Sequence, residues 1–225
     1  MTDRLPNHLR IILPMMLAAG GLLLQGCMIP SLAGAVGQNI ERYKKIEVLA
    51  EYEGLNDQTV AVVVQCDPST LYEYPSVYGN LSMNISRRLQ QNVPGIKVLA
   101  YQQVMQWQYQ TPSWSMLAYG QIAEELGVER VVYVEIYEYR LHPHGNQYLW
   151  DGACAGSVGV IERDGWDPDA FAESWDVAVK FPDITGVGRE SANASQIEMG
   201  VLSKFVDQAS WLFYRHIEDK YPDAI

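Results

Sequence analysis

Thr59-Val60-Ala61-Val62-Val63-Val64 is the stretch on which the fold turns, a β-branched run bounded by Asn56-Asp57 before and Asp67-Pro68 after. A strand with one wet face alternates apolar and polar residues; a strand covered on both faces does not. The run therefore predicts a buried strand in the middle of a sheet, and a sheet with such a strand needs helices packed on it.

The residues that follow supply them. Tyr78 to Asn92 carries Leu81, Ile85 and Leu89 at four-residue spacing with Arg87-Arg88 off that face, an amphipathic helix ended by Pro94-Gly95. Ile96-Lys97-Val98-Leu99 reads as a short strand and Gln103 to Gln108 as a short helix. Ser115 is placed to cap the next helix, with Leu117, Ile122 and Leu126 inward and Gly127 as its stop. Arg130 to Leu141 alternates Val132, Val134 and Ile136 against charged or aromatic residues, so Tyr133, Tyr137 and Tyr139 share the other face of a long strand.

His142-Pro143-His144-Gly145-Asn146 is turn chemistry. Tyr148 to Glu162 returns as a second long strand, Asp164-Gly165 turns again, and Glu173 to Phe181 is a third strand with Trp175, Val177 and Val179 on one face. Pro182 to Ala194 is a loop, and Gln196 to Ile217 is the longest helix, with Val201, Phe205, Ala209, Leu212 and Phe213 on a broad apolar stripe. The order β-α-β-α-α-β-β-β-α predicts an α/β (α+β) domain over residues 58–225. Its sheet is mixed, with a C-terminal antiparallel meander and helices packed on it. No internal repeat is visible.

Ahead of the domain the chain reads differently. Ile11 to Leu24 is almost wholly apolar after a leader bearing Arg4, His8 and Arg10, and it ends in Leu24-Gln25-Gly26-Cys27. The run has the length of a signal h-region and is short for a membrane span. The ending reads as a bacterial lipobox, with a small residue, Gly26, before the cut and Cys27 as the thiol that receives the lipid. Residues 1–26 are then the signal peptide, and 27–57 the lipidated N-terminus and tether, with a short helix around Glu41–Glu53. Met28 rather than Asp follows the cysteine, which by analogy with Gram-negative sorting points to the outer membrane, with the domain facing the periplasm.

Composition narrows the partners. The chain of 225 residues is 48% hydrophobic and 19% charged, enough for a core, and its net charge is −11. The leader holds two of the basic residues and one acidic one, so the remainder is more acidic still. Nucleic-acid binding needs a basic face, which this balance disfavours, and docking on anionic headgroups is disfavoured too. The membrane link is the lipid. Cys66 and Cys154 remain beyond Cys27; in an oxidising periplasm they could form a disulfide, or both could be buried thiols. No Cys-x-x-Cys is present.

No catalytic or metal-binding set stands out. His142 and His144 lie near Asp151, but two imidazoles are too few for a stable metal site. Asp164, Asp167 and Asp169 lack the spacing of a calcium loop. Ala155-Gly156-Ser157-Val158-Gly159 has the look of a nucleophile elbow, but Val158 and Val160 continue a strand where an elbow needs a turn and a helix. The aromatic residues are the remaining signal. Tyr72, Tyr74, Tyr78, Trp107 and Trp114 surround the first helices, and those left exposed would suit a protein-binding face; the alternative is plain packing against the sheet.

The strand Val60–Val64, the helix over Tyr78–Asn92, Lys97-Val98-Leu99…Val104…Trp107, the helix ending Glu125-Leu126-Gly127 and the strand Val131–Ile136 resemble, in that order, a known α/β domain. It is shared by the TolB amino-terminal domain, the curli secretion subunit CsgG and the LpoB activators of penicillin-binding proteins. Leu126-Gly127-Val128-Glu129-Arg130-Val131-Val132-Tyr133-Val134 is similar to the helix-glycine-strand step of that group. The resemblance implies a non-catalytic envelope protein that binds another protein in assembly, transport or secretion, with no cofactor. A homo-oligomer, an oligomeric secretion-channel component, and a solute-binding or hydrolytic periplasmic lipoprotein remain the alternatives. The chain lacks the long membrane hairpins of CsgG and the long Pro-rich tether of LpoB.

Overall fold

The computed structural model describes residues 45–219. The leader, Gly26, Cys27 and most of the tether lie outside the described residues. Two compact units are distinguished. Lys45–Val48 (β1) pairs with His216–Asp219 (β9) in a two-stranded sheet. Leu49–His216 forms the second unit, which holds the main sheet.

That sheet has five strands in the order β3-β2-β4-β6-β7. The strands are β2 (Thr59–Cys66), β3 (Lys97–Val98), β4 (Arg130–Arg140), β6 (Gly152–Glu162) and β7 (Phe171–Phe181). β2 runs parallel to both β3 and β4, and β4, β6 and β7 form the antiparallel meander. The fold class expected from the order of elements is the one observed.

Helices cover both faces. α1 (Pro68–Glu73) and α2 (Pro75–Asn92) follow β2, α3 (Tyr101–Gln110) follows β3, α4 (Tyr119–Leu126) precedes β4, and α5 (Ala194–Trp211) follows β7. On one face Val60, Val62 and Val64 lie under Leu81, Ile85 and Leu89 of α2, and Val201 and Phe205 of α5 complete the same core over β6 and β7. On the other, Ala61 and Val63 meet Val104 of α3 and Ile122 and Ala123 of α4. β2 is thus the strand covered twice, the reason its apolar run is unbroken. Gly127 ends α4 at φ 65°, a left-handed conformation in which a Cβ is strained, and turns the chain into β4.

Several local expectations are corrected. The short helix around Glu41–Glu53 is not formed over the described part: Lys45-Ile46-Glu47-Val48 is β1, held by pairing with β9. Ser115 lies in a 3₁₀ turn, Trp114–Met116, and α4 starts at Tyr119 behind Ala118, whose N–H donates to Gln121 Oε1 at 3.3 Å. The strand expected over Tyr148–Glu162 breaks at Asp151 into β5 (Leu149–Trp150) and β6. The following loop contains β8 (Val187–Gly188), the partner of β5.

The helix expected to reach Ile217 stops at Trp211 because the Leu212 carbonyl is taken by the N–H groups of Glu51 (2.9 Å) and Tyr52 (3.0 Å). Tyr133, Tyr137 and Tyr139 do not share one face. The register of β4 against β6 shifts between Ile136 and Glu138, so Tyr137 bulges outward and Tyr139 crosses to the face of Val132 and Val134.

Cys66 and Cys154 are both free and buried. They sit on β2 and β6, strands that β4 separates, so the disulfide left open by the sequence is not made.

Phe205 and Phe213 are the largest fully buried side chains among the described residues. Phe205→Ala should cost about 3–5 kcal/mol, read as a lower urea midpoint with an unchanged slope. A loss below about 1 kcal/mol would mean that α5 does not pack on the sheet in this way.

Candidate protein-binding site

The carboxyl end of β2 feeds directly into the aromatic segment. Asp67 caps α1: its Oδ1 accepts from the N–H of Ser69 (2.8 Å) and Thr70 (3.1 Å), and its Oδ2 from Thr70 Oγ1 (2.6 Å). The Ser69 hydroxyl donates to Oδ1 as well. These hydroxyl and amide donors hold the Asp67 carboxyl down at about 2, from an ordinary 3.8. α1 is one and a half turns long and stops at Tyr74, whose φ of −132° is not helical; Pro75 then starts α2 with φ preset.

This break decides where each aromatic ring goes. Tyr72, on α1, is 91% exposed. Tyr74, two residues later, packs edge-on to Tyr139 with ring centres 4.9 Å apart and lies half-buried against the core. Tyr78, one turn into α2, also lies against the core. Its hydroxyl donates to Gln108 Oε1, and Gln108 Nε2 donates to the Val64 carbonyl at 3.0 Å. Buried Gln108 therefore ties α2, α3 and the end of β2 together. Burial pushes the hydroxyls of Tyr74 and Tyr78 up to about 12.

The two tryptophans are half-buried. Trp107 Nε1 donates to Glu125 Oε2 at 2.8 Å, and its ring lies 6.0 Å from that of Trp114. Trp114 continues to Tyr133 at 6.2 Å, and Tyr133 to Tyr119 at 5.6 Å. This ladder packs the second face of the sheet. Of the five aromatic candidates, Tyr74 and Tyr78 are half-buried against the core, Trp107 is wall, Trp114 is wall with one open side, and Tyr72 is exposed.

Beside Trp114 opens a cleft of about 310 Å³, lined chiefly by Val64, Leu71, Tyr78, Met105, Tyr109 and Trp114. Tyr109 is 87% exposed at its rim, and Met116 is 86% exposed elsewhere on the surface. The cleft is apolar and opens at the carboxyl end of a parallel strand, where α/β sheets commonly hold ligands. Leu71, Met105 and Tyr109 were not picked out by the sequence as site residues. Their signal was the helical spacing of Met105 and Tyr109 on α3, which turns both toward Tyr78.

A second, polar cleft of about 730 Å³ lies across α1 and is lined by Glu73, Tyr74, Arg140, His142, His144 and Arg189, among others. Arg140 and His142 are held by neighbouring groups. Arg140 Nη1 donates to Asp151 Oδ2 (2.6 Å) and Arg140 Nε to Glu138 Oε1 (2.9 Å). His142 stacks on Trp150 at 4.5 Å and donates from Nδ1 to the Leu149 carbonyl (2.7 Å), so its Nε2 faces Arg189 Nη2 at 3.4 Å as an acceptor. Asp151 therefore belongs to Arg140 and not to a histidine pair. Among the described residues no group of three His, Cys, Asp or Glu side chains could hold a metal ion.

Ser157 sits within the unbroken strand β6, between Glu135 and Asp176, with no turn and helix after it. Asp164 pairs with Arg130, and Asp169 accepts from the Gly120 N–H at 3.0 Å. No helix among the described residues is long and apolar enough to cross a membrane.

No family model matches the sequence, and no curated protein matches it. Some solved structures are distantly similar to it. Lipoprotein GNA1162 from Neisseria meningitidis is 14% identical over 67% of this chain and 96% of its own, with a TM-score of 0.45. The PelC dodecamer protein from Paraburkholderia phytofirmans is 11% identical over 77% and 99%, with a TM-score of 0.43. The hypothetical protein CT253 from Chlamydia trachomatis is 17% identical over 67% and 92%, with a TM-score of 0.41.

Two predictions test the local chemistry. Asp67→Ala should lower stability by up to about 1 kcal/mol at neutral pH, toward the small end because the carboxylate is exposed and screened. Its pKa is depressed on folding, so the charge-linked contribution is full well above the unfolded value of 3.8 and is lost as pH falls through about 2, the gap between the two unfolding curves narrowing over that range. A gap that does not narrow as pH falls from neutral to about 2 would point to lost helix contacts and not to the cap charge. For the cysteines, burial first and the Asp67 charge second push the Cys66 thiol up to about 12, and burial raises Cys154 further. Maleimide at pH 8 should leave both untouched in the folded chain and modify both after unfolding without reductant, as read by peptide mass mapping.

Proposed function

We propose that this chain is a lipid-anchored cell-envelope protein that acts without catalysis, by binding another protein in envelope assembly, transport or secretion. Cys27 carries the diacylglyceryl and palmitoyl groups after cleavage behind Gly26, and the outer membrane holds the anchor with the domain facing the periplasm. The likeness to the TolB, CsgG and LpoB domain supports this reading, as does the lipobox.

The observation that carries the binding role is the apolar cleft at the end of β2, where Leu71, Met105, Tyr109 and Trp114 surround open space. Aromatic and thioether side chains lose little entropy or adapt readily on docking, which makes such a surface an anchor for a partner's apolar side chain. Tyr72 stands exposed on α1, the helix that also carries Leu71.

Two measurements test the two halves of the proposal. In the native host, Cys27→Ser should abolish labelling with radioactive palmitate and move the chain out of the membrane fraction; retained label would remove the anchor. A photoreactive residue at Tyr109 should give a discrete crosslinked species that Leu71→Glu diminishes at least several-fold, while the same residue at exposed Gln91 on α2 gives none. Equal crosslinking at both positions, or indifference to Leu71→Glu, would remove the cleft as the binding site.

A further inference from the structure

The two edges of the main sheet differ sharply. β3 closes one edge with two residues, whereas β7 forms the other with eleven. β7 pairs with β6 on one side. Among the described residues no backbone hydrogen bond reaches its other side. A long open edge is a template for another strand, and folded proteins usually shorten, cover or bend such edges.

The sequence of this edge is self-complementary. Trp175-Asp176-Val177-Ala178-Val179-Lys180-Phe181 reads aromatic, acidic, valine, alanine, valine, basic, aromatic. When two copies of an antiparallel strand pair about Ala178, each residue meets the one equally far on the other side of the centre. Asp176 then faces Lys180 of the second copy, Val177 faces Val179, and Trp175 faces Phe181, each pair occurring twice by symmetry.

The pairs also lie on the correct faces. Val177 and Val179 are 5% and 6% exposed on the helix-covered side, and Asp176, Ala178 and Lys180 are exposed on the other. Neither Asp176 nor Lys180 makes an ion pair among the described residues. Within one strand they stand about 13 Å apart, too far to pair with each other. Charge also selects the register. Centring on Asp176 or Lys180 sets like charges directly opposite, and centring on Val177 or Val179 leaves both charges without opposite partners; centring on Ala178 pairs all four of these charges and leaves Glu173, near the start of β7, opposite Asp183 beyond its end, which pairs with Lys204 of its own copy.

We propose that the free edge of β7 is the interface between two copies of this chain, an antiparallel two-fold strand pair centred on Ala178 that continues the sheet from one copy into the other. The surface is separate from the cleft at the end of β2 and does not depend on what that cleft binds.

The full-length chain in detergent micelles tests it. Sedimentation should give a concentration-dependent dimer. Ala178→Cys should crosslink to its own copy without reductant, because directly opposite Cα atoms lie about 4.5–5.5 Å apart, within disulfide reach. Ser174→Cys should not, since in this register it lies roughly 27 Å along the strand from its counterpart. Asp176→Lys and Lys180→Asp should each weaken association about ten-fold, and the two together should restore it. These side chains are exposed, and unchanged melting curves will show that the variants fold. A monomer at every concentration, equal crosslinking at 174 and 178, or a double variant no tighter than the single ones would overturn the proposal.

Discussion

Double-sided burial of β2 is the constraint on which the rest of the structure depends. Val60 to Val64 are fully buried without a break, so neither face of this strand can meet water. A strand of that kind needs neighbours on both edges and a helix layer on both faces. β3 and β4 supply the edges in parallel, which forces helical crossovers, and those crossovers are α1, α2, α3 and α4. The start of the strand is fixed separately. Glu129 Oε2 accepts from the Thr59 N–H at 2.8 Å and its hydroxyl at 2.9 Å, while the Glu129 N–H donates to Thr59 Oγ1 at 3.1 Å. That reciprocal clasp pins β2 to the entrance of β4 before their valines meet.

What could be read in advance follows from the same constraint. A run buried on both faces, the four-residue spacing Leu81, Ile85, Leu89 and the stop at Gly127 are each determined by local chemistry, and each is found where the pattern puts it. Three features depended on distant partners and were not legible. β1 exists through its pairing with β9, and the end of α5 is set by the Glu51 and Tyr52 N–H groups that take the Leu212 carbonyl. The bulge at Tyr137 is the most instructive. One extra residue reverses the faces beyond it, so Tyr139 enters the core although strict alternation places it with Tyr133.

The aromatic site shows the same division on a smaller scale. Tyr72, Tyr74 and Tyr78 are close in sequence and chemically alike, yet one is in solvent and two are half-buried against the core. Composition cannot separate them, because the difference is the non-helical backbone at Tyr74. It ends α1, lets Pro75 restart the helix and resets the phase of every ring that follows. The cleft arises from this reset: Leu71 stays on the α1 side and Tyr78 on the α2 side of a space that Met105 and Tyr109 of α3 bound from beyond.

The proposed pairing at the edge of β7 and the proposed anchor at Cys27 bear on one another through concentration. A strand pair at an exposed edge adds backbone hydrogen bonds and a few side-chain pairs, which is a modest gain against the entropy of association. Two copies confined by lipid to one membrane would meet at an effective concentration far above their average in solution, and that confinement lowers the affinity an edge must supply. The residues flanking Ala178 fit this regime. Asp176 and Lys180 keep the edge soluble when it is alone, as charges on edge strands do, and each becomes a favourable contact only against a copy in the one register that pairs them. A partner strand without that charge order would bury one or both charges opposite a neutral or like-charged residue, so the same two side chains that permit self-pairing also limit promiscuous strand addition.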